Sequence, residues 1–215
     1  MSTRKLSFEG ILVNKEISVP LNPTRALAAA SVSRLSAWMR SGGIVVGGSA
    51  LVAVCAHLAL PLYFTPVPLS LAPFAVLIFG LLLRPRLAAA ALGTYLLEGA
   101  LGLPVFAPTP LSPGGLAHLL GPTGGYLLSY PAAAALTAFL VRRTGRGFAP
   151  AALAAAAGSL VILLSGAVWL AVLTHGSAQT VFSLAVLPFL PGDALKVAAA
   201  AALTAGWVRL RRRTA

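Results

Sequence analysis

Negative charge is almost missing from this chain. Glu9, Glu16, Glu98 and Asp193 are its only acids, and charged residues of both signs make up 9% of the 215 positions. Soluble domains carry about 25% charged residues, so too little polar side chain is present to cover a surface that faces water. Low hydrophobicity, the mark of a disordered chain, is missing too, because 58% of the residues are hydrophobic. The alternation of apolar and polar residues that a membrane β-barrel needs is not there; long Ala/Leu-rich runs stand in its place and read as helices. Cysteine occurs once, as Cys55 within an apolar run. That excludes a disulfide within the chain and a cysteine-based metal site, and leaves Cys55 as a small buried hydrophobe.

Catalytic signatures are scarce in the same way. The run Gly121-Pro122-Thr123-Gly124-Gly125 lacks the lysine and hydroxyl residue of a phosphate-binding loop, and no His-Glu-x-x-His occurs. Asp193 is the only aspartate, so no catalytic aspartate pair exists, and the three histidines form no recognisable motif with Ser165. The expectation is a polytopic, all-α membrane protein that is not an enzyme, with no catalytic residues, no metal and no cofactor.

What is present is a set of six apolar runs, near Gly43–Leu60, Leu69–Leu83, Leu87–Leu103, Thr123–Val141, Ala149–Leu173 and Pro188–Val208. The second and third are short for a bilayer that takes about 20 apolar residues. Fifteen of the 16 basic residues then sort by side, and the sixteenth, Lys196, lies within the last run. Arg4, Lys5, Lys15, Arg25, Arg34 and Arg40 precede the first run, and Arg84 and Arg86 separate the second and third. Arg142, Arg143 and Arg146 separate the fourth and fifth, while Arg209, Arg211, Arg212 and Arg213 follow the sixth. The loops after the first, third and fifth runs hold neither Lys nor Arg. The excess of positive charge on the cytoplasmic side predicts six transmembrane helices with both termini in the cytoplasm. The net charge of +12 is thereby explained by topology and by attraction to anionic lipid, without nucleic acid.

Three regions follow: a cytoplasmic N-terminal segment at 1–40, a six-helix substrate-binding domain at 41–208 and a basic cytoplasmic tail at 209–215. The first segment has no continuous apolar core of a secretory signal. From Arg25 onward, Ala28, Val32, Leu35 and Met39 make a helical stripe with Trp38 beside it, as suits an amphipathic helix on the cytoplasmic face. A transit peptide is the alternative, since the segment contains Arg and Ser and is poor in acids. The expected location is the plasma membrane of a bacterium, or an organellar membrane under that alternative.

Inside the runs, Glu98, Asp193 and Lys196 are the only charged residues, and charge at membrane depth is costly enough to mark candidate sites. By the expected topology all three lie in the outer half of the membrane. In Phe189-Leu190-Pro191-Gly192-Asp193-Ala194-Leu195-Lys196, proline suits the first helical position and Asp193 the first turn, where the helix dipole favours an anion. Lys196, three residues on, shares that face, so a purely structural salt bridge is the competing reading. Glu98 is read as a ligand contact or as a partner for Lys196. His118 and His175 are read as loop residues, and His57 as a polar contact between helices. Around the outer end lie the proline-stiffened Pro61–Pro68 loop, Phe106, Thr109, the Gly121–Tyr126 segment and Trp169. Together they make an aromatic, polar cup suited to a small molecule.

Four ordered motifs carry a family resemblance: Phe64-Thr65-Pro66-Val67-Pro68, Gly102-Leu103-Pro104-Val105-Phe106-Ala107, Leu120-Gly121-Pro122-Thr123-Gly124-Gly125-Tyr126-Leu127-Leu128, and the Phe189–Lys196 stretch. From about Ala50 to Ala202 the chain resembles BioY, the biotin-binding S component of energy-coupling-factor transporters; residues 1–40 fall outside that likeness. The resemblance implies a biotin-capture subunit whose ligand-binding residues include Asp193 and Lys196. Thr123, Gly124, Tyr126 and the segments around Phe64 and Phe106 would shape and close the pocket. It also implies a transmembrane coupling subunit and two ATPase subunits as partners, although some members of the family occur without dedicated ones. Two departures stand out. Ser70-Leu71-Ala72 replaces a stretch in which the family commonly has a glutamine, and Glu98 stands where a neutral residue is expected.

The chemistry suits biotin on its own terms. Asp193 can accept ureido N–H bonds, Lys196 can bind the carbonyl or the carboxylate, and Tyr126 or Trp169 can cover the thiophane ring. Which end of biotin lies deeper is left open. The rivals are an S component for thiamine or riboflavin, an autonomous secondary transporter using Glu98 as a relay, and an intramembrane enzyme.

Overall fold

The structure is a computed structural model that describes residues 23–108 and 114–214, with side chains from Leu35 onward. Residues 1–22, Thr109 with its neighbours to 113, Ala215, and the side chains of Arg25, Ala28, Val32 and Arg34 lie outside the described residues. The chain divides into two compact units, Met1–Met39 and Arg40–Ala215. The first contributes the opening part of α1, which runs Pro23–His57, and its described Leu35, Trp38 and Met39 are exposed. Helix α1 thus takes in both the stretch from Arg25, expected as an amphipathic helix, and the apolar run expected near Gly43, and Gly42 and Gly43 between them do not interrupt it.

In the second unit, α1 is followed by a two-stranded antiparallel ribbon, β1 (Ala59–Leu60) and β2 (Leu69–Ser70). Then come α2 (Ala72–Leu82), α3 (Pro85–Ala100), the short α4 (Gly115–Leu120), α5 (Gly124–Thr144), α6 (Phe148–Thr174), α7 (Ala178–Ala185) and α8 (Leu190–Arg213). Proline occupies the first turn of α2, α3 and α8, where the missing amide hydrogen costs nothing. Arg84 is extended ahead of Pro85, which separates α2 from α3. Gly145 at φ 105° and His175 at φ 50° end α5 and α6. The two strands take the end of the expected run Gly43–Leu60 and the start of Leu69–Leu83, so those ends are extended and not helical; α4 and α7 lie outside the six expected runs, and α8 continues through the basic residues as far as Arg213.

Helix α5 is the centre of the bundle and packs against α6, α3 and α2, while α8 closes the ring against α6 and α2. Small residues permit that closeness. Thr137 of α5 lies between Gly80 of α2 and Gly158 of α6, and a Cβ on Gly80 would come within 2.9 Å of the Ala134 carbonyl oxygen. One apolar cluster gathers around Tyr95, Tyr126, Tyr130 and Phe189; a second, with Leu77, Leu81, Val141 and Ala154, fills the opposite end. Leu97, Leu128, Leu160, Leu164, Val168, Leu195 and Leu203 face outward, the reverse of a water-soluble surface.

Among the described residues, three helical stretches are long and apolar enough to cross a bilayer: Leu35–His57, α5 and α6. The α7–α8 pair, bent by 48°, makes a fourth if taken as one span. Helix α2, at 11 residues, extends only about 16 Å at 1.5 Å per residue. Three of the expected basic segments meet at one end. Arg146 donates to the Leu82 carbonyl oxygen at 3.4 Å, and Arg146 shares a small cavity with Arg209 and Arg212.

Candidate ligand-binding site

Helix α8 begins with Phe189 as its cap and Pro191 in its first turn, so Asp193 enters the helix at its first turn, where the helix dipole favours an anion. Lys196 Nζ donates to Asp193 Oδ1 at 3.1 Å, and Ser159 Oγ of α6 donates to Asp193 Oδ2 at 3.0 Å. Asp193 and Lys196 are 7% and 8% exposed, so water screens the pair poorly. The expected pairing along one face is therefore present, with Ser159 as a third member. Among the described residues no second acceptor takes the other hydrogens of the ammonium, and each carboxylate oxygen retains lone pairs.

This pair forms one wall of a cavity of about 50 Å³. Thr123, Tyr126 and Tyr130 of α5 form another wall, Ile162 and Leu163 of α6 a third, and Val67, Pro68 and Ser70 cover it from the ribbon side. A space of that size holds only a few waters. A vitamin-sized ligand would displace side chains, and Lys196 is the longest flexible one. Lys196 and Ser70 also border a wider apolar groove of about 540 Å³ beside Leu58, Leu60 and Leu195.

Other expected residues take different places. Tyr126 donates to the Ala185 carbonyl oxygen at 2.6 Å and lies 6.0 Å from the Phe189 ring, so it is fixed as an aromatic wall of the cavity. Gly124 does not line the cavity; it sits tight against the Leu119 carbonyl and lets α5 start where it does. Trp169 donates to the Gly121 carbonyl oxygen at 2.8 Å and packs on Gly125, which makes it a brace between α6 and the start of α5. Phe106 is buried behind the cavity, edge-on to Tyr95 at 5.3 Å, and Phe64 is 61% exposed and outside it. Thr65 ties the Phe64 loop to α7 by donating to the Leu184 carbonyl oxygen at 2.8 Å.

Glu98 accepts a hydrogen bond from the fully buried Ser49 of α1, and neither lines the cavity nor pairs with Lys196. His57 is exposed and bonds its own helix at the Ala53 carbonyl oxygen, not a neighbouring helix.

Among the lining residues outside the expected ligand-binding set are Tyr95 of α3, Tyr130 of α5 and His118 of α4. His118 was read as a loop residue, yet it is 3% exposed and its ring lies 5.0 Å from Phe106. Burial holds its imidazole below the ordinary histidine value by disfavouring the cation. Below the unfolded value, about 6.5, the unfolded chain binds the proton more readily, so stability falls as pH drops through that value toward the folded one. Thermal unfolding in detergent should thus show a melting temperature that declines from pH 7.5 to pH 5. His118→Gln should flatten that decline; an unchanged slope in the variant would remove His118 as its source.

A sequence profile described as the BioY family matches residues 26–213. The chain belongs to the BioY family. The match reaches beyond the Ala50–Ala202 likeness at both ends and takes in residues 26–40, which had been placed outside it. A relative named "Probable biotin transporter BioY" from Pyrococcus horikoshii is 42% identical over 135 residues, which cover 63% of this chain and 76% of the relative. "Biotin transporter BioY" from Thermotoga maritima is 34% identical over 153 residues, covering 71% of this chain and 86% of the relative. In three dimensions this BioY family member is similar to a crystal structure of the S-component for biotin from an ECF-type ABC transporter. The TM-score is 0.72 at 24% identity, covering 82% of this chain and 93% of the other. That likeness establishes an S-component fold.

Proposed function

We propose that this protein captures biotin from outside the cell and delivers it for ATP-driven import by partner subunits. The observation that carries the reading is the buried Asp193–Lys196 pair, which retains unused acceptor and donor capacity at the wall of an aromatic-lined cavity. Biotin offers the complement: two ureido N–H donors, a carbonyl acceptor and a carboxylate tail. The relatives named as biotin transporters support the choice of vitamin.

In this reading Asp193, Lys196, Thr123 and Tyr126 contact the ligand. Gly124 and Phe106 support the cavity wall, and the loop carrying Phe64 closes over it. Helices α1, α2, α3, α5, α6 and α8 cross the plasma membrane with both termini in the cytoplasm, the short α2 being completed by the ribbon that precedes it. Residues 1–40 form a cytoplasmic segment ahead of the substrate-binding domain at 41–208, and 209–215 form a basic tail. The partners are a membrane-embedded coupling subunit and two ATPase subunits, with anionic lipid around the arginine-rich end.

Titration calorimetry of the full chain in detergent, with biotin, thiamine and riboflavin, tests the reading. Saturable one-site binding of biotin alone is the expected result. Binding of thiamine or riboflavin in its place would keep the architecture and overturn the substrate.

A further inference from the structure

Among the described residues, one buried side-chain polar atom has no hydrogen-bond partner: the hydroxyl oxygen of Tyr95. Tyr95 is fully buried and lines the same cavity as Asp193 and Lys196. Other buried hydroxyls nearby are committed, Tyr126 to the Ala185 carbonyl oxygen and Ser159 to Asp193. A phenol withdrawn from water without a partner is a standing cost, and such orphans call for a physical explanation. Packing does not offer one, because phenylalanine would fill the same space against Phe106 and Tyr130 without that cost.

Position along the helices indicates what the hydroxyl awaits. Tyr130 lies one helical turn further into α5 than Tyr126, and the Tyr95 ring stacks on it at 6.4 Å. The Tyr95–Tyr130 end is aromatic, and Lys196, the one lysine or arginine that lines the cavity among the described residues, is held by Asp193. A charged carboxylate would lose its hydration at that end without gaining a cation, whereas a neutral carbonyl would gain a donor. At the other side, Lys196 also borders the wide apolar groove, so a flexible tail leaving the cavity passes the ammonium on its way out.

We propose that Tyr95 donates its hydroxyl hydrogen to the ureido carbonyl oxygen of the bound vitamin, so that the ring system enters first and the carboxylate tail runs past Lys196. The inference rests on the biotin reading above and adds the orientation of the ligand and a residue that selects a carbonyl over other groups.

The test compares Tyr95→Phe with the unaltered chain, using calorimetry and thermal unfolding with three ligands: biotin, biotin methyl ester and 2-iminobiotin. At neutral pH the cyclic guanidine of iminobiotin is a cation that presents only N–H donors where biotin presents its carbonyl. Tyr95→Phe should bind biotin about tenfold more weakly, the factor equivalent to ~1.4 kcal/mol. It should weaken the methyl ester by the same factor and leave iminobiotin unchanged. The ligand-free melting temperature should not fall, because the variant removes an unpaired group; a merely structural hydroxyl would lower it. Equal biotin affinity in the two proteins overturns the proposal while leaving biotin capture intact. An equal loss for iminobiotin overturns the carbonyl assignment. No biotin binding by the unaltered chain overturns the proposal together with the reading it rests on.

Discussion

Replacing Asp193 by asparagine is expected to weaken biotin binding by about 100-fold or more. The carboxylate is 7% exposed and already holds Lys196 at 3.1 Å and Ser159 at 3.0 Å. Hydrogen bonds to an ionised acceptor contribute about 1.5–3 kcal/mol each, and the amide would offer a neutral oxygen in its place. The change also strands the Lys196 ammonium in a poorly screened place, where breaking a buried pair costs about 3–5 kcal/mol. The first effect lowers affinity directly and the second destabilises the fold around the site, so the variant should lose more affinity than removal of any single neutral contact in the cavity, and melt lower as well. Some of it will come from loosening of α8 against α6, which the Ser159 bond joins. The double variant Asp193→Asn, Lys196→Met separates the two contributions. It removes the stranded charge, so its melting temperature should recover relative to the single variant while biotin binding stays lost. Affinity within threefold of the unaltered protein in Asp193→Asn would remove the pair from the ligand site and leave it as a structural bridge.

That pair was legible in the sequence because two opposite charges three residues apart, behind a proline and within an apolar run, can hardly be placed elsewhere than one face of a helix start. Its third member was not. Ser159 lies 34 positions from Asp193, within an Ala-rich helix that also holds Ser165, where a serine carries no distinguishing signal. Tyr95 and His118 escaped for a related reason. Their arrival at the cavity depends on how the connection between α3 and α5 folds back, with Phe106 seated on Gly99 and stacked beside His118. No periodicity encodes that path.

Glu98 shows the limit of reading depth without rotation. It follows Tyr95 by three residues, which turns it about 60° around α3 at 3.6 residues per turn. That angle is enough to bring it to Ser49 of α1 in place of the cavity. The helices themselves were legible, since each of the six runs overlaps one of the six long elements, whereas α4 and α7 are too short to leave a pattern of their own. Glycine was ambiguous in the same way. At Gly124 and Gly125 it permits close approach, and only the packing reveals that the approaching group is protein.

Gly125→Ala should therefore be among the most damaging substitutions available at the start of α5. A Cβ there would stand 2.6 Å from the Ser165 carbonyl oxygen and 2.8 Å from Cγ of Trp169. The first of these is backbone of α6 and cannot turn aside, so α5 and α6 must part. Overpacking of this kind costs about 1–3 kcal/mol and occasionally more, against a gain of about 1 kcal/mol from alanine's better helix propensity. Contact with backbone places the expected cost at the upper end, for a net loss of about 2 kcal/mol. In a chain of this size that lowers the melting temperature by about 4–8 °C. The displacement also reaches the ligand. Tyr126 is the next residue, Gly166 packs under its ring, and Trp169 holds the Gly121 carbonyl oxygen at 2.8 Å. Biotin affinity should fall with stability even though Gly125 does not line the cavity. Gly93→Ala in α3 is the matched control, because a Cβ at Gly93 meets nothing within 4 Å. It should gain about 0.5–1 kcal/mol and leave affinity unchanged. If the two alanines shift the melting temperature equally, the α5–α6 approach at Gly125 is looser than the structure shows, and the placement of Tyr126 against the ligand falls with it.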